Sequence, residues 1–353
     1  MNTADTDKIF NGKDRYRKMI AIRMEGGLGN QMFQYALFLQ LRALGRDVCI
    51  DDVTGYENQA EDSVRRPIRL KEAFGIEYPV LSDDDRYRLT DSYPGFFNAI
   101  KRKLRGRRSL EMHDQNLVFD PKFLETEEGY FTGYFQSYKY FAQVDETEGA
   151  VRKAFTFRED LLDDAPGHRN ILSQIRQALE QGEETCALHL RLGDYLDKPE
   201  LYGGICTDAY YRAAVLDIQR STGRRLHVFI FSNGPETARE WAEKNFTGPD
   251  FADVTLTCVS GADEEHAEKD LYLMTQCHHF ILANSSFSWW AAYLGKERGA
   301  DGPVNPLLEP DKLPSMVIAP SRWLKLPEQE VGEDIYTPDM IRMDENGDYV
   351  PGA

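Results

Sequence analysis

Hydrophobic and polar positions along the chain alternate between short runs that are apolar throughout and longer runs that are apolar on one side. The short runs predict strands covered on both faces, and the longer ones predict helices. The clearest case is Glu268 to Gly295. Asp270 to about Gln276 predicts a helix with Leu271, Leu273 and Met274 on its apolar side. Phe280-Ile281-Leu282-Ala283 predicts a buried strand, Asn284-Ser285-Ser286-Phe287-Ser288 a polar turn, and Trp289 to Leu294 a second, buried helix. Strand, hydroxyl-rich turn and helix N-terminus together suit an anion. Free backbone N–H groups and the positive end of the helix dipole point at the turn, and Ser285, Ser286 and Ser288 carry donors for phosphate oxygens. The alternative use of these serines is to cap the helix.

The same alternation begins near the N-terminus. Met19 to Met24 predicts a strand, Gly26-Gly27-Leu28-Gly29-Asn30-Gln31 a turn, Met32 to Leu44 an apolar helix ending near Gly45, and Val48 to Asp52 a second strand. This βαβ start argues for a parallel sheet. As a dinucleotide-binding turn the motif is incomplete. Gly27 and Gly29 are present, but Met32 stands where a third small residue is needed. Asn30 and Gln31 place polar side chains at the mouth of the turn. Residues 53 to 128 are less regular. Asp83-Asp84-Asp85 follows Ser82 and precedes a helical Arg86 to Leu89, which reads as an N-cap with acids on the dipole rather than as a metal-binding pair. The aromatic run Tyr130 to Phe141 suits either a domain core or the flat face of a sugar.

The pattern restarts near residue 156. Helices are expected at Asn170 to Gln181, Thr207 to Ser221 and Glu236 to Asn245, and strands at Thr185 to Leu190, Arg225 to Phe231, Val254 to Val259 and Met316 to Pro320, the last with Trp323 beside it. The expected organisation is a flexible tail at 1–18, an N-terminal α/β domain at 19–155, a second α/β domain at 156–325 and an acidic surface tail at 326–353.

Composition narrows the function. The net charge of −17 over 353 residues argues against nucleic-acid binding, and it means that an anionic substrate needs a local basic pocket. No run approaches the ~20 apolar residues of a membrane helix. Five cysteines (Cys49, Cys186, Cys206, Cys258, Cys277) form no CxxC pair and read as reduced core thiols of a cytoplasmic protein. The basic run Lys101 to Arg108 reads as a solvated helix end, with peripheral contact to the inner face of an anionic membrane as the other reading. His189-Leu190-Arg191-Leu192-Gly193-Asp194-Tyr195 leaves a strand at its C-terminal end, where ligands of open α/β sheets sit. There Arg191 is able to bind phosphate bidentately, or to pair with Asp194 and only brace the loop.

Three segments in this order, Gly26 to Ala36, His189 to Tyr195 and Ala283 to Trp290, resemble the α-1,2-fucosyltransferases of glycosyltransferase family 11. Gly133-Tyr134-Phe135-Gln136-Ser137 and Phe231-Ser232-Asn233 are similar to further landmarks of that family. The resemblance implies a GT-B-like fold, with two Rossmann-like α/β domains facing across a cleft. It implies an inverting, metal-independent transfer of L-fucose from GDP-β-L-fucose to the 2-OH of a galactose-terminated oligosaccharide or lipid-linked glycan, with no cofactor. Arg191 is then the phosphate clamp, and Asn30 holds the diphosphate or the fucose from across the cleft. Asp194 is the first candidate for the general base and Glu25 the second. Gly27, Gly29, His189, Ser232, Asn284, Ser285, Ser286 and Phe287 complete the donor site, and no residue is expected to hold a metal. One position departs from the family pattern: Leu192 stands where a second arginine is common. Two other readings stay open, a fucosyltransferase of different linkage and a non-catalytic GDP-sugar-binding protein.

Overall fold

The short apolar runs are strands, and every ladder between them is parallel. The computed structural model describes residues 17–56, 67–92, 109–115, 117–143, 145–191, 199–259, 266–296, 314–325 and 332–351. One sheet holds four strands in the order β2-β1-β4-β3: β1 Ile20–Arg23, β2 Val48–Asp51, β3 Glu111–His113 and β4 Gly129–Thr132. The other holds six in the order β10-β9-β8-β5-β6-β7: β5 Glu184–His189, β6 Leu226–Phe231, β7 Val254–Cys258, β8 His279–Ile281, β9 Val317–Pro320 and β10 Met340–Met343. The longer helices are α1 Leu28–Ala43, α2 Asp83–Leu89, α3 Asp145–Ala154, α4 Pro166–Glu180, α5 Asp208–Thr222, α6 Pro235–Asn245, α7 Ala267–Met274 and α8 Ser286–Gly295. Two parallel α/β sheets of this kind are the GT-B plan.

Each sheet packs one face into a cluster of its own, Ala21 with Leu89 and Tyr130 in the first and Leu188 with Val228 and Ile281 in the second, and the sheets share a third. One apolar cluster runs from Ile20 and Ile22 of the first sheet to Phe280 and Val317 of the second. Its seam is α1 against α8. The Phe33 ring lies 4.7 Å from Trp289 and 4.9 Å from Trp290, and Phe155 lies 5.0 Å from Trp290. All four rings are buried, and burying an aromatic side chain contributes about 1.5–3 kcal/mol. At the far end of α8, Arg152 stacks 4.2 Å from the Tyr293 ring centroid and donates to the Tyr293 carbonyl at 2.9 Å.

Two expectations are corrected here. The segment 326–353 is not a surface tail where it is described. Met340–Met343 adds β10 beside β9, the buried Ile335 accepts a hydrogen bond from Trp289 Nε1 at 2.6 Å, and Asp334 accepts from Phe119 N at 2.8 Å. Acids on both sides of a four-residue strand hide it in a compositional reading. The first helix also starts at Leu28 rather than Met32. Asn30 N and Gln31 N donate to the Gly27 carbonyl at 2.9 and 3.1 Å, so both residues belong to the first helical turn. The Lys101 to Arg108 run lies outside the described residues. Among the described residues, no helix is long and apolar enough to cross a membrane.

Ser82 accepts from Asp85 N at 3.2 Å and caps α2, so the acids there serve the helix. Arg86 of the same helix reaches into the first sheet. Asp51 Oδ2 accepts from Arg86 Nε at 3.1 Å, Tyr130 Oη at 2.6 Å and Thr54 Oγ1 at 2.9 Å. At the second sheet, Glu184 joins the N-terminal ends of three neighbouring strands. Its Oε1 accepts from Arg224 at 3.0 Å, and its Oε2 lies 2.7 Å from His278 Nδ1 and 3.3 Å from His279 Nε2. These three residues have ligand spacing for a metal, but the hydrogen-bond polarity favours protons. His279 Nδ1 accepts the Met316 N–H at 3.1 Å, so the ring proton is on Nε2, the nitrogen a metal would need.

Burial raises the Asp51 carboxyl pKa, but the bonds from Tyr130, Val53, Arg86 and Thr54 outweigh it and hold it below the usual carboxylate value. The folded pKa is depressed, so this stabilisation is complete above the unfolded value of about 3.9 and is lost as pH falls through the folded value. Asp51→Asn is expected to cost about 3 kcal/mol in urea unfolding at pH 7, because it removes the buried charge facing Arg86 and leaves it only the exposed Asp83. The variant should lose less additional stability than the parent between about pH 5 and pH 3. A variant as stable as the parent at pH 7 would show that the cluster holds nothing together.

Candidate active site

The site forms where two helix N-termini meet. β1 delivers the glycine turn to the start of α1, and β8 delivers the serine turn to the start of α8. Gly26 has φ +80°, a left-handed turn that glycine adopts without strain. Gly29 is governed by closeness instead. A Cβ there would lie 2.6 Å from Phe287 N and 2.8 Å from Ser286 Oγ, so only glycine lets the two N-termini touch. Neither helix has an acidic residue in its first turn, in a chain of net charge −17. Both dipoles therefore present their positive ends to the same space, and that space favours an anion.

The side chains join across the junction. Ser285 caps α8 by accepting from Phe287 N at 3.4 Å, and its Oγ also accepts from Arg191 Nη1 at 3.0 Å. With two bonds accepted, the Ser285 hydroxyl proton is the donor it has left for a ligand. Ser286 Oγ donates to Asn30 Oδ1 at 2.7 Å, and Gln136 Nε2 donates to the same oxygen at 2.7 Å. Arg191, half-buried beyond the end of β5, brings a permanent positive charge to the point where the helices meet.

The other expected residues take varied places. Gly27 is the N-cap of α1. His189 ends β5, with its ring 5.7 Å from the half-buried Phe287 ring, and its carbonyl accepts from Tyr211 Oη at 3.0 Å. Asn284 stands behind the turn, where its Nδ2 donates to the Trp323 carbonyl at 3.1 Å. Ser232 follows the neighbouring strand β6 and accepts from Gly234 N at 3.2 Å, which shapes its own turn. Ser288 points inward and donates to the Ala283 and Ser285 carbonyls at 3.3 and 3.2 Å, so its hydroxyl is not a phosphate donor. Glu25 has both oxygens engaged, one paired with Arg23 at 2.5 Å and the other accepting from Gly133 N at 3.2 Å. Leu192 and Asp194 lie outside the described residues.

Sequence reasoning passed over two features. Gln136 carries the contact between the aromatic run and Asn30, and its only signal was its place in Gly133-Tyr134-Phe135-Gln136-Ser137. Asp114, just past β3, accepts from Phe135 N at 2.7 Å and is pushed up to about 6 by burial, opposed by that N–H and reinforced by the Asp120 charge. Its neighbours in sequence give no sign of this environment.

The profile of glycosyl transferase family 11 matches residues 120–301. An Escherichia coli protein named O-antigen biosynthesis glycosyltransferase WbnK is 29% identical over 290 residues, covering 77% of this chain and 88% of its own length. An alpha-1,2-colitosyltransferase of Escherichia coli is 25% identical over 317 residues, covering 87% of this chain and 99% of its own. Galactoside alpha-(1,2)-fucosyltransferase 1 of Sus scrofa is 28% identical over 274 residues, covering 76% of this chain and 64% of its own.

Gly29→Ala tests the junction. Its Cβ would meet the backbone of Phe287, which cannot move without shifting α8. Affinity for GDP by calorimetry should fall at least about tenfold, the loss of one good hydrogen bond to a charged group or more. A variant with parental GDP affinity would place the anion elsewhere.

Proposed function

Because the chain belongs to glycosyl transferase family 11, we propose that it transfers L-fucose from GDP-β-L-fucose to the 2-hydroxyl of a terminal galactose, with inversion and without a metal. The observation that carries this reading is the Arg191–Ser285 pair at the meeting of two helix N-termini. Loss of GDP builds negative charge on the β-phosphate while the sugar ring becomes cationic. Donors already aimed at that phosphate stabilise the transition state without reorganising. Arg191 would supply the charge, Ser285 its hydroxyl and α8 the positive end of its dipole. Asn30 would add its amide N–H from the other side. The names of the relatives, one a colitosyltransferase and one a galactoside fucosyltransferase, support an α-1,2 linkage and a 6-deoxysugar donor.

The acceptor hydroxyl approaches from the face opposite the leaving phosphate, and Asp194 is the proposed proton acceptor. The acceptor would be a galactose-terminated oligosaccharide or a lipid-linked glycan. With the latter, Lys101 to Arg108 would bring the enzyme to the inner membrane surface.

Radiolabelled fucose from GDP-fucose, offered to lactose and to N-acetyllactosamine in EDTA, should appear as α-1,2-fucosylated galactose. Arg191→Ala should lower turnover by about 10²–10³ with the fold intact by circular dichroism, the scale for loss of one transition-state donor. Asp194→Asn should lower kcat with little change in donor affinity. A product of another linkage would reassign the acceptor pocket. GDP binding with no donor consumption would leave only the non-catalytic binder.

A further inference from the structure

We propose that Gln136, held by Trp323, is a positioning residue that decides which end of the Asn30 amide faces the donor. This rests on the reading that Asn30 contacts the donor's anionic oxygens. An asparagine at such a place has two ends of equal shape and opposite polarity. Its NH₂ attracts a phosphate oxygen, and its carbonyl repels one.

The direction is set from outside the cleft. Trp323 follows β9 and is buried, and its indole Nε1–H can only donate. It donates to Gln136 Oε1 at 3.0 Å. That leaves Gln136 Nε2, which donates to Asn30 Oδ1 at 2.7 Å. Ser286 donates to the same Oδ1, also at 2.7 Å. Both lone pairs of Asn30 Oδ1 are thus taken, and Nδ2 with its two N–H groups is the end left to a ligand. Nδ2 lies over Gly26, where a Cβ would come within 2.5 Å of it. A flip of the Gln136 amide would set N–H against N–H at Trp323 and lone pair against lone pair at Asn30, at a residue only 7% exposed. The relay passes from Trp323 of the second half, through Gln136 of the first, to the turn that contacts the second half again. Gln136 need not touch the donor at all.

Gln136→Glu is an isosteric test. Above the pKa of the introduced carboxyl, both of its oxygens only accept. One still takes the Trp323 N–H, and the other takes the Asn30 NH₂ after that amide turns over. Ser286 Oγ can then accept, so the hydrogen bonds remain satisfied and the fold is kept. The Asn30 carbonyl now faces the donor. At pH 8 the calorimetric Kd for GDP-fucose should rise by about tenfold or more, with the melting temperature close to the parent's. As pH falls and the introduced carboxyl gains a proton, it can donate to Asn30 Oδ1 again. The Kd should then return toward the parental value along a pH limb that the parent lacks. Trp323→Phe keeps an aromatic ring but removes the N–H, and should raise the Kd without any such limb.

Asn30→Ala separates the two ideas. If it leaves the Kd for GDP-fucose unchanged, Asn30 does not touch the donor, and the underlying reading fails together with the relay. If Asn30→Ala weakens binding but Gln136→Glu leaves the Kd within about twofold at pH 8, the functional reading stands and the relay is overturned. Equal, pH-independent losses in Gln136→Glu and Gln136→Leu would also overturn it, since that is what a purely structural glutamine would give.

Discussion

The contact on which the rest depends is the approach of α1 to α8, closed by Gly29 against the Phe287 amide and the Ser286 side chain. Everything needed for an anion follows from it. The first turns of two helices share one space, their dipoles add there, and Asn30 comes within reach of Ser286. A chain with a net charge of −17 repels a nucleoside diphosphate at long range. In the proposed reading, Arg191 and two helix ends free of acids offset that repulsion locally.

The same contact explains why the two halves share a core. Beyond their N-termini α1 and α8 stay in contact, with Phe33 against Trp289 and Trp290, and the space between them is filled. Phe33, Phe141, Phe155, Trp289 and Trp290 fill it. The aromatic run that offered either a core or a sugar platform belongs mostly to this core, since Tyr130, Phe131, Phe135, Tyr140 and Phe141 are buried and Tyr134 alone in that group is exposed. The shared core holds the Arg191–Ser285 pair and Asn30 at fixed separation, the preorganisation that phosphate stabilisation requires.

Much of this was legible in the chain. Strands such as Phe280 to Ala283 and Leu226 to Phe231 are apolar throughout because helices cover them on both faces, and such runs are hard to mistake. The places of the serine turn and of Arg191 were legible because each directly follows such an apolar run. Three things were not. β10 is four residues among acids, too short for its alternation to stand out. The start of α1 was set late because glycines read as loop, although Gly29 sits inside the helix for lack of room. The link from Trp323 through Gln136 to Asn30 joins residues far apart in sequence, and no local pattern encodes a hydrogen bond of that kind.

The most direct measurement is a crystal structure of the protein with GDP. The diphosphate should lie at the junction of α1 and α8, with the β-phosphate within hydrogen-bond distance of Arg191 and the Ser285 hydroxyl and the Asn30 amide nitrogen turned toward it. A diphosphate bound away from Arg191, with the junction between the two helix ends left to water, would contradict the account.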